Sequence, residues 1–248
     1  MRPSLEALGL TKRFGTVQAV AGIDLVIQRG ERVGLLGPNG AGKTTTLLML
    51  LGAIDPDQGT VCLAGHPLTQ GRERALNNVG FAAGYLPLPD RLTVTEALRT
   101  FAGFYGVADE RAAVAETLHT WGIEHLADRR CERLSSGQRT LAGIAKSWIH
   151  RPELLVLDEP TASLDPEVAH RVRQRLLTIC ADHGTSLLIT SHDMREVAML
   201  CERVIFLARG AIVANAAPDA IAAQFGEDDL EGVFLQLAGQ PLTVEDEL

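Results

Sequence analysis

A strand-like run, Val33-Gly34-Leu35-Leu36, passes without a break into Gly37-Pro38-Asn39-Gly40-Ala41-Gly42-Lys43-Thr44, and then into the apolar stretch Leu47–Leu51. The spacing G-x-x-x-x-G-K-T places glycine where successive backbone amides must turn inward around an anion, a turn that a Cβ would obstruct. A helix beginning near Lys43 aims the positive end of its dipole at the same anion. Lys43 adds a mobile point charge for β- and γ-phosphate oxygens, and Thr44 offers a hydroxyl to Mg²⁺. The competing explanation is a chance glycine turn. The chain has only three lysines, Lys12, Lys43 and Lys146, and one stands at the required place with a strand before it and a helix after it. That context decides for a phosphate-binding loop.

A strand–loop–helix unit of this kind belongs in an α/β domain, and the rest of the pattern agrees. Short apolar runs bounded by glycine alternate with longer helical patterns, which predicts βαβ units and a mostly parallel sheet. Strands are expected at Leu5–Leu10, Ile23–Ile27, Arg32–Leu36, Thr60–Leu63, Val79–Ala83, Leu154–Leu157, Ser186–Thr190, Val204–Leu207 and Ala211–Ala214, and helices at Lys43–Leu51, Pro166–Cys180 and Arg195–Leu200. Between Thr93 and Ile149 no strand pattern occurs. Val94, Leu98, Phe101 and Tyr105 repeat at helical spacing there, followed by helical patterns at Ala112–Trp121 and Gly137–Ile149. The expectation is a helical lobe over about 88–150, set into a core made of 1–87 and 151–215. A helical tail over 216–248 would end in a frayed Glu-Asp-Glu-Leu, all within one domain of 248 residues. The aromatic stripe in the lobe is expected to be core.

Composition removes several classes of function. With 31 acids against 23 bases the formal charge is −8, the wrong sign for a general nucleic-acid binder. No apolar run approaches the roughly 18 residues of a membrane span, and charged residues follow Met1 at once, without a secretory leader. Cys62, Cys131, Cys180 and Cys201 stand far apart, as expected of reduced thiols in the cytosol.

A phosphate loop needs a carboxylate for its metal. Leu154-Leu155-Val156-Leu157 runs into Asp158-Glu159, so two acids sit at the carboxyl end of a buried strand, where a parallel sheet lines its ligand crevice. Asp158 is placed to hold Mg²⁺ and Glu159 to take a proton from an attacking water. A solvated turn is the alternative for the acids alone; the phosphate loop upstream tips the balance.

With these residues in place, the chain resembles the nucleotide-binding subunit of an ABC transporter over nearly its whole length. Leu134-Ser135-Ser136-Gly137-Gln138 resembles the LSGGQ signature, Ser163-Leu164-Asp165 the D-loop, and His192, after the strand Ser186–Thr190, the switch histidine. Phe14 stands where an aromatic stacks on adenine in that family. His119, His125, His150, His170 and His183 are expected to be structural or surface groups. The resemblance implies a P-loop cassette with an N-terminal antiparallel β portion, and ATP held by Phe14, Gly37, Pro38, Asn39, Gly40, Ala41, Gly42, Lys43, Thr44 and Thr45. Mg²⁺ would rest on Thr44 and Asp158, with Lys43, Glu159 and His192 catalytic. Ser135, Ser136, Gly137, Gln138 and Asp165 would serve the ATP of a second copy, or of a homologous subunit, in a head-to-tail dimer. A transmembrane permease would be the further partner, at the cytoplasmic face of the membrane. Ser135 and Gly137 also read as a plain helix N-cap, which is compatible with that role.

Three positions depart from the family. Ser136 replaces the usual glycine and Thr140 a frequent glutamine. The glutamine normally found between the fifth strand and the lobe is missing: one register puts Gly84 there, another Leu88, and no glutamine occurs from Gly71 to Ser136. Slower hydrolysis is expected. The end, Asp229-Leu230-Glu231-Gly232-Val233-Phe234-Leu235-Gln236-Leu237-Ala238-Gly239, resembles the LEDVFLxLTG close of drug, sodium and polysaccharide exporter ATPases, or else is an amphipathic packing helix. Two alternatives stay open: a non-transport ABC ATPase, and a cassette that binds ATP with little hydrolysis. A GTPase switch is excluded, since no Asn-Lys pair exists to read the base.

Overall fold

The computed structural model describes residues 2–84, 88–162 and 164–239. The expectations placed on Ser163, on the string Tyr85-Leu86-Pro87 and on the final Glu-Asp-Glu-Leu fall outside the described residues. In chain order the elements are β1 (Leu5–Phe14), β2 (Val17–Ile27), β3 (Arg32–Leu36), α1 (Lys43–Leu50), β4 (Gln58–Leu63), β5 (His66–Pro67), α2 (Leu68–Leu76) and β6 (Val79–Ala83). Three helices follow, α3 (Val94–Phe104), α4 (Glu110–Trp121) and α5 (Ser136–Trp148). The chain then returns to the sheet through β7 (Leu154–Asp158), α6 (Pro166–His183), β8 (Ser186–Thr190), α7 (Met194–Leu200), β9 (Arg203–Ala208) and β10 (Ala211–Ala216). It closes with α8 (Pro218–Phe225) and α9 (Leu230–Ala238).

Side chains alternate across a strand, and here the alternation sorts them into two cores. Val33, Leu35, Leu154, Val156, Leu188, Ile205 and Leu207 face one way and pack with the antiparallel strands and α1. Leu36, Leu155, Leu157, Leu187, Ile189, Val204 and Phe206 face the other way and pack with the helices. The strands are thus covered on both sides, which is why they read as unbroken apolar runs. Six strands form the central sheet in the order β10-β9-β3-β8-β7-β6, parallel except for the β9–β10 pair. A second, antiparallel sheet runs β2-β1-β4-β5. Arg203 fastens the two sheets, donating to the Val26 carbonyl at 2.6 Å and to Glu31 at 2.6 and 3.0 Å. Burial opposes the charge on Glu31, but hydrogen bonds from Arg203 and the Gln28 amide leave its carboxyl below the ordinary range.

Strands β1 and β2 run longer than the apolar pattern predicts. Beyond Leu10 the residues are Thr11, Lys12 and Arg13, so the apolar signal ends, yet backbone pairing continues to Phe14 opposite Val17. Helix α2 gave no signal because only Ala75 is buried, and its backbone departs from helical geometry at Gly71. The other helices start where their caps stand: Thr93 and Glu96 form a capping box on α3, and Asp165 precedes Pro166 at the start of α6. Between β6 and β7 the described residues form helices α3 to α5 and no named strand, as the period predicted. Val94 and Leu98 are buried, and Phe101 and Tyr105 pack against the same core, so the aromatic stripe is structural. Among the described residues no helix is long and apolar enough to cross a membrane.

His150 closes the lobe core. Its ring stacks on Tyr105 with centroids 3.6 Å apart, Nε2 lies 3.2 Å from the Val79 carbonyl, and Nδ1 is buried without a hydrogen-bond partner. The neutral ring with hydrogen on Nε2 fits this setting; a second N–H would face no acceptor. Burial lowers its pKa to about 4, with the Val79 carbonyl opposing the shift. Since the folded value lies below the unfolded one, the unfolded chain takes up the proton first, and stability falls as pH drops from about 6.5 towards 4. His150→Phe keeps the stack and removes the titration. Denaturant unfolding should show the wild type losing on the order of 2 kcal/mol more than the variant across that window.

Candidate functional site

The loop between β3 and α1 is pressed by backbone on two sides. Gly37 and Gly42 have φ of 148° and 99°, and a Cβ on either would collide with a carbonyl oxygen, that of Leu207 or that of Ala19. Strands β9 and β2 therefore fix the loop from behind, and only glycine fits at these two positions. Gly42 caps α1 in the left-handed conformation, and the Thr46 amide donates to its carbonyl at 2.8 Å. Lys43 folds back over the loop, its Nζ donating to the Gly37 and Pro38 carbonyls at 2.6 and 3.1 Å. Burial holds the Lys43 ammonium below the usual lysine range, while Glu159 and Asp158 pull it back up.

In front of the loop lies a cleft of about 700 Å³ lined by Asn39–Thr45, Arg13, Thr16–Ala19 and Arg209. Phe14 is not part of that lining. It stands on the same hairpin, 52% exposed, with Lys12 Nζ 5.8 Å from its ring centre. The hairpin contribution of Arg13 and Thr16–Ala19 was invisible in the sequence, because a polar exposed ladder carries no motif.

The carboxyl end of β7 supplies both acids, and the end of β8 lies beside it. Their parallel register sets Asp158 beside Thr190, and the Thr190 hydroxyl donates to Asp158 Oδ1 at 2.5 Å. The Glu159 amide donates to the Thr190 carbonyl at 3.0 Å and to its hydroxyl at 3.2 Å. Glu159 has φ of 49°, a left-handed conformation that costs a non-glycine residue about 1–2 kcal/mol. This backbone brings its Oε2 within 3.3 Å of His192 Nδ1. The predicted pair of acids and the predicted histidine thus meet at one strand edge.

Ser135, Ser136, Gly137, Gln138 and Asp165 meet elsewhere. They line a separate cleft of about 700 Å³ between α5 and α6, together with Arg171 and Arg175. Ser135 and Gln138 form a reciprocal capping box, with bonds of 3.3 and 3.2 Å, so the cap geometry is present as expected. A Cβ at Gly137 would sit 3.4 Å from Leu164, which brings the start of α5 against the segment leading to Asp165. Asp165 itself caps α6 through the Val168 amide at 3.2 Å. None of these residues lines the first cleft.

Glycine loop, strand-end acids and helix start together define a P-loop nucleotide-binding protein. A family model described as ABC transporter matches residues 20–162. Nod factor export ATP-binding protein I of Burkholderia lata is 39% identical over 240 residues, 96% of this chain and 77% of the relative. A solved structure of an ATP-binding subunit of an ABC transporter superposes with a TM-score of 0.84 at 27% identity, covering 94% of this chain and 98% of that one. Another, cbiO1 from Clostridium perfringens, part of the ABC transporter complex cbiONQ, gives 0.80 at 26%, covering 91% and 92%. The chain belongs to the ABC transporter family, as an ATP-binding ATPase subunit.

The two positions that could carry the missing glutamine differ sharply. Gly84 is exposed and a Cβ there meets nothing within 4 Å, whereas Leu88 is 3% exposed inside the core shared by lobe and sheet. Gly84→Gln should leave the melting curve almost unchanged. Leu88→Gln should cost about 3 kcal/mol, through lost apolar burial and a buried amide short of partners. Equal unfolding midpoints for the two variants would contradict this placement of Leu88.

Proposed function

We propose that this chain is the ATP-hydrolysing half of an export machine, in which two copies enclose two ATP and drive a membrane permease. The observation that carries the proposal is the division of the site: the P-loop with its acids and the Ser135–Asp165 group occupy separate clefts of one chain. Each half is complete only when a second copy turns its other face to it. The core over 1–87 and 151–215 would hold the nucleotide, the lobe over 88–150 would present Ser135–Gln138, and 216–248 would form the tail.

Lys43 leaves the Gly37 and Pro38 carbonyls for the β- and γ-phosphate oxygens, while the amides of Asn39–Thr45 wrap the β-phosphate. Arg13 and the Thr16–Ala19 ladder border the base and ribose, and Phe14, on the same hairpin, stacks on adenine. Glu159 accepts a proton from the attacking water, and His192 donates to the γ-phosphate. Ser135 and Gly137 of the opposing copy offer hydroxyl and amide to that phosphate, and Asp165 approaches across the seam. Mg²⁺ suits the hard oxygen donors of Thr44 and Asp158 and would neutralise developing phosphate charge. The Thr190 bond leaves Asp158 Oδ2 available for it, and Thr44 makes no hydrogen bond from its hydroxyl among the described residues.

Export, and not only energised transport, is supported by the Nod factor export relative and by the Asp229–Gly239 helix with its exporter-like sequence. The place of action is the cytoplasmic face of the membrane, through the permease. Gly84 has no side chain and Leu88 is committed to the core, so no glutamine amide backs the metal, which favours slow turnover.

Purified protein should bind ATP in a magnesium-dependent manner, and Lys43→Ala should weaken that binding at least about tenfold by equilibrium titration. Glu159→Gln should cut turnover about a hundredfold or more while keeping affinity, and should accumulate an ATP-bound dimer on size exclusion. Equal rates for wild type and Glu159→Gln would remove the catalytic role, and a strictly monomeric ATP-bound Glu159→Gln would remove the seam. Extraction of tagged protein from detergent-solubilised membranes should bring a multi-span protein with it; recovery of the chain alone would favour a non-transport role.

A further inference from the structure

We propose that Glu196 is a positioning residue for hydrolysis: its buried carboxylate couples the loop carrying His192 to the loop that follows Glu159. Glu196 stands in the first turn of α7 and is 0% exposed. Its two oxygens are divided between two loops. Oε1 accepts from the Thr161 hydroxyl at 2.6 Å, and Oε2 accepts from the Ser191 hydroxyl at 2.8 Å. Thr161 lies two residues after Glu159, and Ser191 immediately precedes His192. The pair that meets in solvent, Glu159 and His192, is thus backed by a second connection between the same two segments in the interior.

The rest of the turn is built to hold that carboxylate in place. The Ser191 hydroxyl accepts from the Asp193 amide at 3.0 Å while donating to Glu196. Asp193 Oδ1 in turn accepts from the amides of Arg195 and Glu196, at 3.0 and 3.1 Å. On the other side, the Thr161 carbonyl accepts from the Leu164 amide at 3.0 Å, which ties the residue that Glu196 grips to the one before Asp165. No cation pairs with Glu196 among the described residues, although a buried carboxylate usually needs one. Two hydroxyl donors aimed at two acceptor oxygens is an arrangement that neither an amide nor an apolar side chain reproduces, since an amide offers one acceptor and demands one. A carboxylate kept at this cost sets geometry. It makes the position of His192, the backbone after Glu159 and the segment entering the second cleft interdependent.

The inference rests on the roles proposed above for Glu159 and His192, and the measurements separate the two. ATPase kinetics, ATP affinity and melting curves are recorded on the full-length protein for Thr161→Val, Thr161→Ser, Glu196→Gln and the double variant Thr161→Val/Glu196→Gln, with Glu159→Gln as reference. Thr161→Val and Glu196→Gln should each lower kcat about tenfold, with KM and affinity for ATP within about twofold, because the P-loop is untouched. Thr161→Ser restores the hydroxyl and should restore kcat, and the double variant should be no slower than the worse single one. An unchanged kcat in Thr161→Val and Glu196→Gln overturns the proposal. So does a kcat loss that Thr161→Ser does not repair, or one accompanied by an equal loss of affinity, which would mark a general disturbance of the fold. If Glu196→Gln does not fold, the Thr161 pair decides alone, since its half-buried hydroxyl can be removed with little change in volume. Should Glu159→Gln turn over ATP like the wild type, the functional roles fail first and the coupling has nothing to position.

Discussion

The parallel register of β3, β8 and β7 is the constraint on which everything else in this molecule depends. Val33 pairs with Leu188, and Leu155 with Leu187, so three strands end together at one edge. The phosphate loop, Asp158 and His192 come from positions scattered from 37 to 192, and no local structure could assemble them. Hydrogen bonds between neighbouring strands do so, because each strand's last residue is set by its neighbour. A slip of one residue in β7 would turn Leu155 and Leu157 into the opposite core and carry Asp158 away from Thr190. The apolar contents of the two cores therefore also define the geometry of the site.

At that edge the charges are balanced against burial and not simply paired. Lys43 is partly desolvated and grips two carbonyls of its own loop, with Asp158 and Glu159 supporting its charge from across the sheet edge. A ligand with several negative charges competes well for such a lysine, since it replaces neutral acceptors by charged ones in a partly dry site. Glu159, for its part, reaches His192 from a left-handed backbone held by two bonds to Thr190. The strain is stored next to the Glu159–His192 pair, and the surrounding strand pairing maintains it.

How much of this was legible in the sequence depended on whether a signal was carried by spacing or by space. The glycine loop, the apolar strand ending in Asp158 and Glu159, and Ser135 at a helix start were legible because each is a local string with its own physical logic. Strand and helix positions in the core were legible for the same reason: burial on two faces writes period 2 or 3.6 into the residues. The extension of β1 and β2 past Leu10 was not, because an exposed ladder is held by backbone bonds that place no demand on Lys12 or Arg13. Nor was α2, with one buried residue. Within the site, Arg13 and Thr16–Ala19 border the P-loop cleft only because the hairpin folds over it. No motif in the sequence marks Glu196. Its burial follows from Thr161 and Ser191 converging on it, and both lie on turns that the linear pattern leaves unassigned.

Loss of the loop glutamine shifts the burden of communication within the chain. A glutamine between β6 and α3 would offer an amide there; Leu88 instead enters the buried cluster that also contains Leu36, the residue just before Gly37. Helices α3 to α5 share that cluster with Leu155, Leu157 and Ile189 of the sheet. Dense apolar packing is stiff, so any movement of the lobe would reach the end of β3 as a displacement of packed side chains. Such a linkage transmits position well and charge poorly. In the proposed dimer it would carry Ser135 and Gly137 towards the second copy without altering the charges around Glu159. On the roles proposed for Glu159 and His192, fine control of hydrolysis would reside on the other side of the site, where Glu159 is bonded to Thr190 and faces His192.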